Sequence, residues 1–262
     1  MKYPFRYPLP GLTTFSLLLF FVFAASASQA AERIVEESVA VDSDVRVTIK
    51  SHRGSVIVRT DDGDTMRIKA IITHQLQEAV DSVDIDIAKS RSRVTIEADY
   101  DADNHSAVSW FLPRSTHHPH VRFEVTMPDT ASLTVDSHRS DMDIEAPSGN
   151  LEVASHRGNG DIKHIRNDLR LDTHRGNFNL YIDQLRDLRL DTHRGNIDIV
   201  VQKFDNVAAD ISTHRGNVRI RGKDIPVLEQ RRESYVDFKE GTGENLIRID
   251  SHRGNIGIDF RR

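Results

Sequence analysis

The chain has 262 residues and no cysteine. It cannot be stapled by disulfides, even though export would permit them. It also offers no cysteine for the lipid of a bacterial lipoprotein. Its fold must rest on packing and hydrogen bonds. Long apolar runs are missing too, with one exception, LLLFFVFAA at residues 17–25. That run falls short of the ~20 apolar residues a membrane-spanning helix needs. Basic residues are not in excess: 35 Lys and Arg stand against 40 Asp and Glu, a formal charge of −5. Such a balance excludes a general nucleic-acid binder, though not a local basic stripe. The chain has no isolated acid pair, nucleophile elbow, phosphate loop or zinc-protease motif, so no catalytic residue is assigned. No long segment carries the periodicity of a helix.

The N-terminus is a different kind of sequence. Lys2 and Arg6 precede the apolar run, and small residues follow it. Ser28 and Ala30 stand at −3 and −1 of a cleavage site before Ala31, and Ala25 and Ala27 offer a second. These three regions predict a secretory signal peptide over 1–30, leaving a mature domain of 31–262 with no transmembrane segment. Cleavage removes Lys2 and Arg6 and no acid, so the charge falls from −5 to −7. The expected location is the periplasm, with secretion or the cell surface as alternatives.

The mature sequence repeats itself. SHRGN stands at 155–159 and 251–255, and THRGN at 173–177, 192–196 and 213–217; SHRGS at 51–55 and SHRSD at 137–141 are variants. From His138 the histidines are spaced 18, 18, 19, 21 and 38 apart, and the last gap equals two units of 19. Residues 222–246 would then be a coil with a degenerate corner, or an insertion. Around each motif the residues alternate: Leu188, Leu190 and Thr192 share one face, while Arg189, Asp191 and His193 share the other. Ile197 and Ile199 point inward after the glycine. Alternation of this kind argues strand. Turn compositions at PSGN, IRND, QLRD and FDNV mark a second corner, with Ile165, Leu185 and Phe204 as apolar plugs. A unit this short buries its apolar face only by stacking on its neighbours, with parallel strands ~4.8 Å apart. The expectation is an all-β parallel β-solenoid with coils of 18–21 residues over 131–262. Residues 31–130 form a less regular β-rich opening, with strands expected at 45–50, 55–60, 65–73, 83–88, 92–98 and 121–128 and a loop over 101–120.

VRFEVTMP, followed by LTVDSHRSDMDIEAPSGNLEVASHRGNGDI and closed by GTGENLIRIDSHRGNIGI, resembles the bacterial putative-adhesin family, over roughly 35–262. Its signature is Thr or Ser, any residue, Ser, Gly, Asp and an aliphatic. Here Ser155, Thr173, Thr192, Thr213 and Ser251 keep the first position, Arg replaces the family's Ser, Asn its Asp, and the free position is His. The resemblance implies a right-handed solenoid and no established catalytic residues or cofactor.

Within the motif, Gly54, Gly158, Gly176, Gly195, Gly216 and Gly254 are read as corner residues at positive φ. Asn159, Asn177, Asn196, Asn217 and Asn255 suit the turn and can stack into a ladder. The inward Ser and Thr hydroxyls are expected to satisfy corner amides. The corner does not require His and Arg. In-register stacking would align His138, His156, His174, His193 and His214 in a stripe ~20 Å long. Beside it would run Arg139, Arg157, Arg175, Arg194 and Arg215, with His252 and Arg253 repeating the pair further on. Asp136, Asp172, Asp191 and Asp250 could pair with the histidines.

Three readings follow from this row. It could be a solvated edge left by duplication. It could bind an anionic glycan, lipopolysaccharide, an envelope protein or another polyanion, because Arg forks match phosphate, sulfate and carboxylate. Or the stacked histidines could share a divalent metal, for which His117, His118 and His120 form a separate cluster. A polysaccharide-acting enzyme is a weaker alternative, since every coil offers the same groups and a catalytic site breaks symmetry. The expected function is a non-catalytic, adhesin-like binding or structural module. Close imidazoles and arginines would also make the histidine column titrate below an isolated histidine.

Overall fold

A computed structural model describes residues 30–100, 118–230 and 233–261. The proposed signal peptide, His117 and most of the 101–120 loop lie outside the described residues.

The N-terminal part comprises β1 (Ala31–Ala40), β2 (Arg46–Asp61), β3 (Thr65–His74), a short helix α1 (Gln77–Asp81), β4 (Asp84–Lys89), β5 (Arg93–Asp99) and β6 (His120–Pro128). The regular coils follow as strand pairs. They are β7 (Ser132–Glu145), β8 (Leu151–Arg157) with β9 (Gly160–Ile165), β10 (Leu169–Arg175) with β11 (Phe178–Ile182), and β12 (Leu188–Arg194) with β13 (Ile197–Val201). After β14 (Val207–Thr213) and β15 (Val218–Arg221) come β16 (Leu228–Gln230), β17 (Glu233–Lys239), β18 (Asn245–Arg253) and β19 (Ile256–Phe260).

The chain is a parallel β-solenoid. β2 and β7 run through the corner without a break and pair in parallel from Arg46↔Ser132 to Val58↔Ile144. From there β7, β8, β10 and β12 stack in parallel on one wall, and β7, β9, β11 and β13 on the other. Parallel stacking in register turns each inward sequence position into a column. Leu133, Leu151, Leu169 and Leu188 form one, all buried, and Val135, Val153, Leu171 and Leu190 form the next. Each fully buried branched side chain contributes about 1.5–3 kcal/mol, so the core is built rung by rung. Size is balanced across rungs: a Cβ on Gly160 would stand 2.3 Å from the ring of Phe178 on the next coil.

The N-terminal strands close the solenoid with mixed pairing. β2 is flanked in parallel by β5 along its first half and by β6 along its second. Beyond these, β4, β3 and β1 turn antiparallel. β1 was not anticipated from the sequence, although AERIVEESVA alternates cleanly.

Coil order departs from chain order. β12 pairs with β18 rather than β14, and β14 pairs with β18 on its other side. On the second wall β19 lies between β13 and β15. The C-terminal strands are thus inserted between the coils that precede them. The 38-residue gap between His214 and His252 is an insertion, not a further coil: β16 and β17 form an antiparallel hairpin on the outer side of β14. Residues 240–244 then turn beneath the start of β14 to reach β18. Gly241 and Gly243 adopt φ of 60° and 69° there, and Asn206 accepts the Thr242 amide at 3.3 Å.

Candidate functional site: a histidine and arginine ladder

In four coils the corner is formed where the first strand, β8, β10, β12 or β18, ends at Arg and the second begins after Gly-Asn. Its amides are satisfied by the neighbouring coil's backbone. Gly158 donates to the Arg175 carbonyl at 3.1 Å, Gly176 to Arg194 at 3.0 Å and Gly195 to Arg253 at 3.0 Å. The Ser and Thr hydroxyls are therefore not needed for this, contrary to expectation. Those of Ser137, Ser155, Thr173, Thr192 and Ser251 are buried without a protein partner. Thr213 donates to the Gly254 carbonyl, and Ser51 shares a hydrogen bond with Ser140.

The glycines answer to close approach as much as to dihedral angle. Gly54, Gly158, Gly195 and Gly254 have φ between 137° and 151°, whereas Gly176 and Gly216 lie outside the range that disfavours other residues. What all six share is proximity: an added Cβ would lie 1.7–2.0 Å from a carbonyl oxygen of the adjoining strand. Behind them runs an asparagine ladder. Asp141 Oδ1 accepts the Asn159 amide at 2.8 Å, and Asn159, Asn177, Asn196 and Asn255 accept the amides of Asn177, Asn196, Asn255 and Asn217 in turn.

The outward positions carry the candidate chemistry. The histidine rings stack in the order His52, His138, His156, His174, His193, His252, His214, with centroids 4.7–5.3 Å apart. From His138 to His214 the interplanar angles are 11° or less. Insertion of β18 places His252 between His193 and His214, which the sequence order had put side by side. The arginines follow suit: Arg53, Arg139, Arg157, Arg175, Arg194 and Arg253 are register partners, with Arg215 next to Arg253. The row has seven rungs and is about 29 Å long at strand spacing.

Among the described residues, Arg139, Arg157, Arg175, Arg194, Arg215 and Arg253 make no ion pair. Five of these side chains are exposed, and Arg253 is half-buried with its Nε unpartnered. Among the described residues, no ion pair joins Asp136, Asp172, Asp191 or Asp250 to the histidines, whereas Glu233 lies 2.9 Å from His214. Asp172, Asp191 and Asp250 instead stand on successive rungs, while Asp136 is set apart from them by Ala154, and Lys50 and Ser212 hold the same position on the outer rungs. The surface therefore reads, across the strands, as an acidic lane, a histidine lane, an arginine lane and an asparagine lane.

His156, His193 and His252 are held below the ordinary histidine value of 6.5. Loss of water from the stacked ring faces is the largest cause, followed by the neighbouring histidines and arginines. His156 and His252 are exposed and His193 is half-buried.

Stacked rings point their nitrogens in parallel rather than at a common centre. Among the described residues no three His, Asp or Glu side chains converge on a metal position. His118 and His120 have separate contacts: His118 packs edge-on to His52 at 5.5 Å, and His120 accepts a hydrogen bond from Arg53 at 3.2 Å and is held low by burial. At this first rung the ladder loses its symmetry. Tyr100, which the sequence did not flag, packs 5.1 Å from His52 and donates to the Arg53 carbonyl, with burial pushing its hydroxyl up to about 12.

A parallel β-solenoid bearing one corner motif on every rung is the class of protein this geometry defines. The model described as Toastrack DUF4097 matches residues 37–259, and the chain belongs to that family. Among curated proteins, none matches. Similar solved structures include a putative cell adhesion protein from Clostridium sporogenes, 12% identical, TM-score 0.44, covering 89% of this chain and 100% of that one. A putative adhesin from Bacteroides fragilis is 10% identical, TM-score 0.39, covering 87% and 97%. A putative lipid binding protein from Parabacteroides distasonis is 7% identical, TM-score 0.25, covering 87% and 97%. No helix among the described residues is long and apolar enough to cross a membrane.

Proposed function

We propose that the mature domain is a non-catalytic, adhesin-like binding module of the cell envelope that holds an anionic glycan along the arginine and histidine ladder. The observation that carries this reading is the column of arginines without carboxylate partners on a protein whose net charge is negative. Stacking like charges at strand spacing is unfavourable unless counter-ions neutralise them. A bound anionic chain supplies those charges once per rung, and each guanidinium can grip a carboxylate, sulfate or phosphate with two hydrogen bonds. The N-terminal segment supports export, with residues 1–30 as signal peptide and 31–262 as one solenoid domain.

The test is binding of the 31–262 protein to lipopolysaccharide, polygalacturonate and a sulfated glycan, beside a variant with Arg157, Arg175, Arg194 and Arg215 changed to Gln. Salt-sensitive binding by the parent and its loss in the variant is the expected result. Equal binding by both proteins, or none by either, would remove the ladder as a ligand site.

A further inference from the structure

The ladder is one-dimensional, and this restricts what it can hold. Its rungs lie on a straight stack of parallel strands, so the arginine lane is a narrow line about 29 Å long. The acidic lane of Asp172, Asp191 and Asp250 borders the histidines on one side, and the asparagine lane borders the glycines on the other. A duplex nucleic acid winds its phosphates away from such a line, and a branched polymer would overrun the lanes. A uniformly anionic chain such as polyphosphate would use the arginines but be repelled by the aspartates. A sugar chain with one acidic group per residue can use every lane. Its acidic groups meet Arg, while its hydroxyls donate to Asp carboxylates and reach the exposed Asn side chains.

Resting on the reading above, we infer that the ligand is a single unbranched acidic polysaccharide lying across the rungs, with contiguous rungs acting as one multivalent site. Contiguity is set by the spatial order of the coils. Arg253 is an interior rung, between Arg194 and Arg215, although the sequence places it last; Arg215 is the terminal rung, although the sequence places it inside. Loss of an interior rung divides the lane, and loss of a terminal rung only shortens it.

The experiment measures affinity of the 31–262 protein for oligogalacturonates from dimer to dodecamer, with chain-matched polyphosphate as comparator. The expected result is affinity that climbs with length until the lane is filled and then levels, with polyphosphate weaker. For the longest chain, Arg253→Gln should weaken binding about tenfold, the size of one charge-assisted contact, and Arg215→Gln by much less. Arg175→Gln, an exposed interior rung, repeats the test where the side chain is not partly buried, and thermal melting confirms that each variant folds. Equal effects at positions 215 and 175, affinity independent of length, or tighter polyphosphate binding would overturn the inference while leaving anion binding itself intact. Absence of binding to any anion would instead remove the functional reading beneath it.

Discussion

At the scale of single residues, the corner separates side chains that the fold requires from those it merely carries. Gly195 is required: a Cβ there would stand 1.7 Å from the Gly176 carbonyl oxygen, and neither backbone can yield without breaking the ladder. Gly195→Ala should lower stability by about 2–4 kcal/mol in urea unfolding, and an unchanged midpoint would show that the coils can spread. Thr192 is the opposite case. Its buried hydroxyl has no protein partner, so Thr192→Val keeps the shape and removes a desolvated polar group. The expected outcome is unchanged or raised stability, by up to about 1 kcal/mol; a clear loss would mean that the hydroxyl is satisfied in solution. The histidines add a pH dependence with a definite sign. His156, His193 and His252 have folded values below 6.5, so the unfolded chain binds protons more readily than the folded one. Their contribution is present above pH 6.5 and lost as pH falls toward the lowered folded values. The melting temperature should fall between neutral pH and about pH 5. A variant with these three changed to Asn should fall less over the same interval. Bound polyanion should reduce the acid loss further, because it favours the imidazolium form.

At the scale of elements, the decisive strand pair is β18 and β19. It pairs with β12 and β14 on one wall and with β13 and β15 on the other, so it is the mortar between two coils. Truncation after residue 244 should therefore do more than remove the last coil: β14 and β15 lose their main partner and should lose hydrogen-exchange protection together. Protection of β14 retained in the truncated protein would mean that it can dock directly on β12. Strands, corners and coil length were legible in the sequence because alternation and the Gly-Asn break recur at each turn. The order of the coils was not. LRLDTHRGN at 169–177 and 188–196 is the same string twice, and Ile247–Asn255 is close to it. Interchangeable rungs carry no address, so any coil can stack on any other. The order is set by the connections, here the β16–β17 hairpin and the glycine turn beneath Asn206. The first rung was hidden for a related reason: Tyr100 stands outside the repeat and meets His52 only because β5 lies beside β2.

At the scale of the whole molecule, a solenoid open at its ends risks growing by adding copies of itself. This one finishes its walls with strands that resist addition. β4 carries Asp84, Asp86 and Lys89, β1 carries Glu32, Glu36 and Glu37, and the hairpin covers β14. β15 is the weak point: it pairs with β19 on one side and, among the described strands, with none on the other. Its protection is brevity, at four residues, and the exposed Arg219 and Arg221. The same charge that gathers an anion along the corner would here keep a second parallel edge away. The 31–262 protein should sediment as a monomer. Changing Arg219 and Arg221 together to Val should produce concentration-dependent association by analytical ultracentrifugation, with the ladder's affinity for short anionic chains unaltered. A variant that remains monomeric would show that geometry alone, and not charge, closes that end.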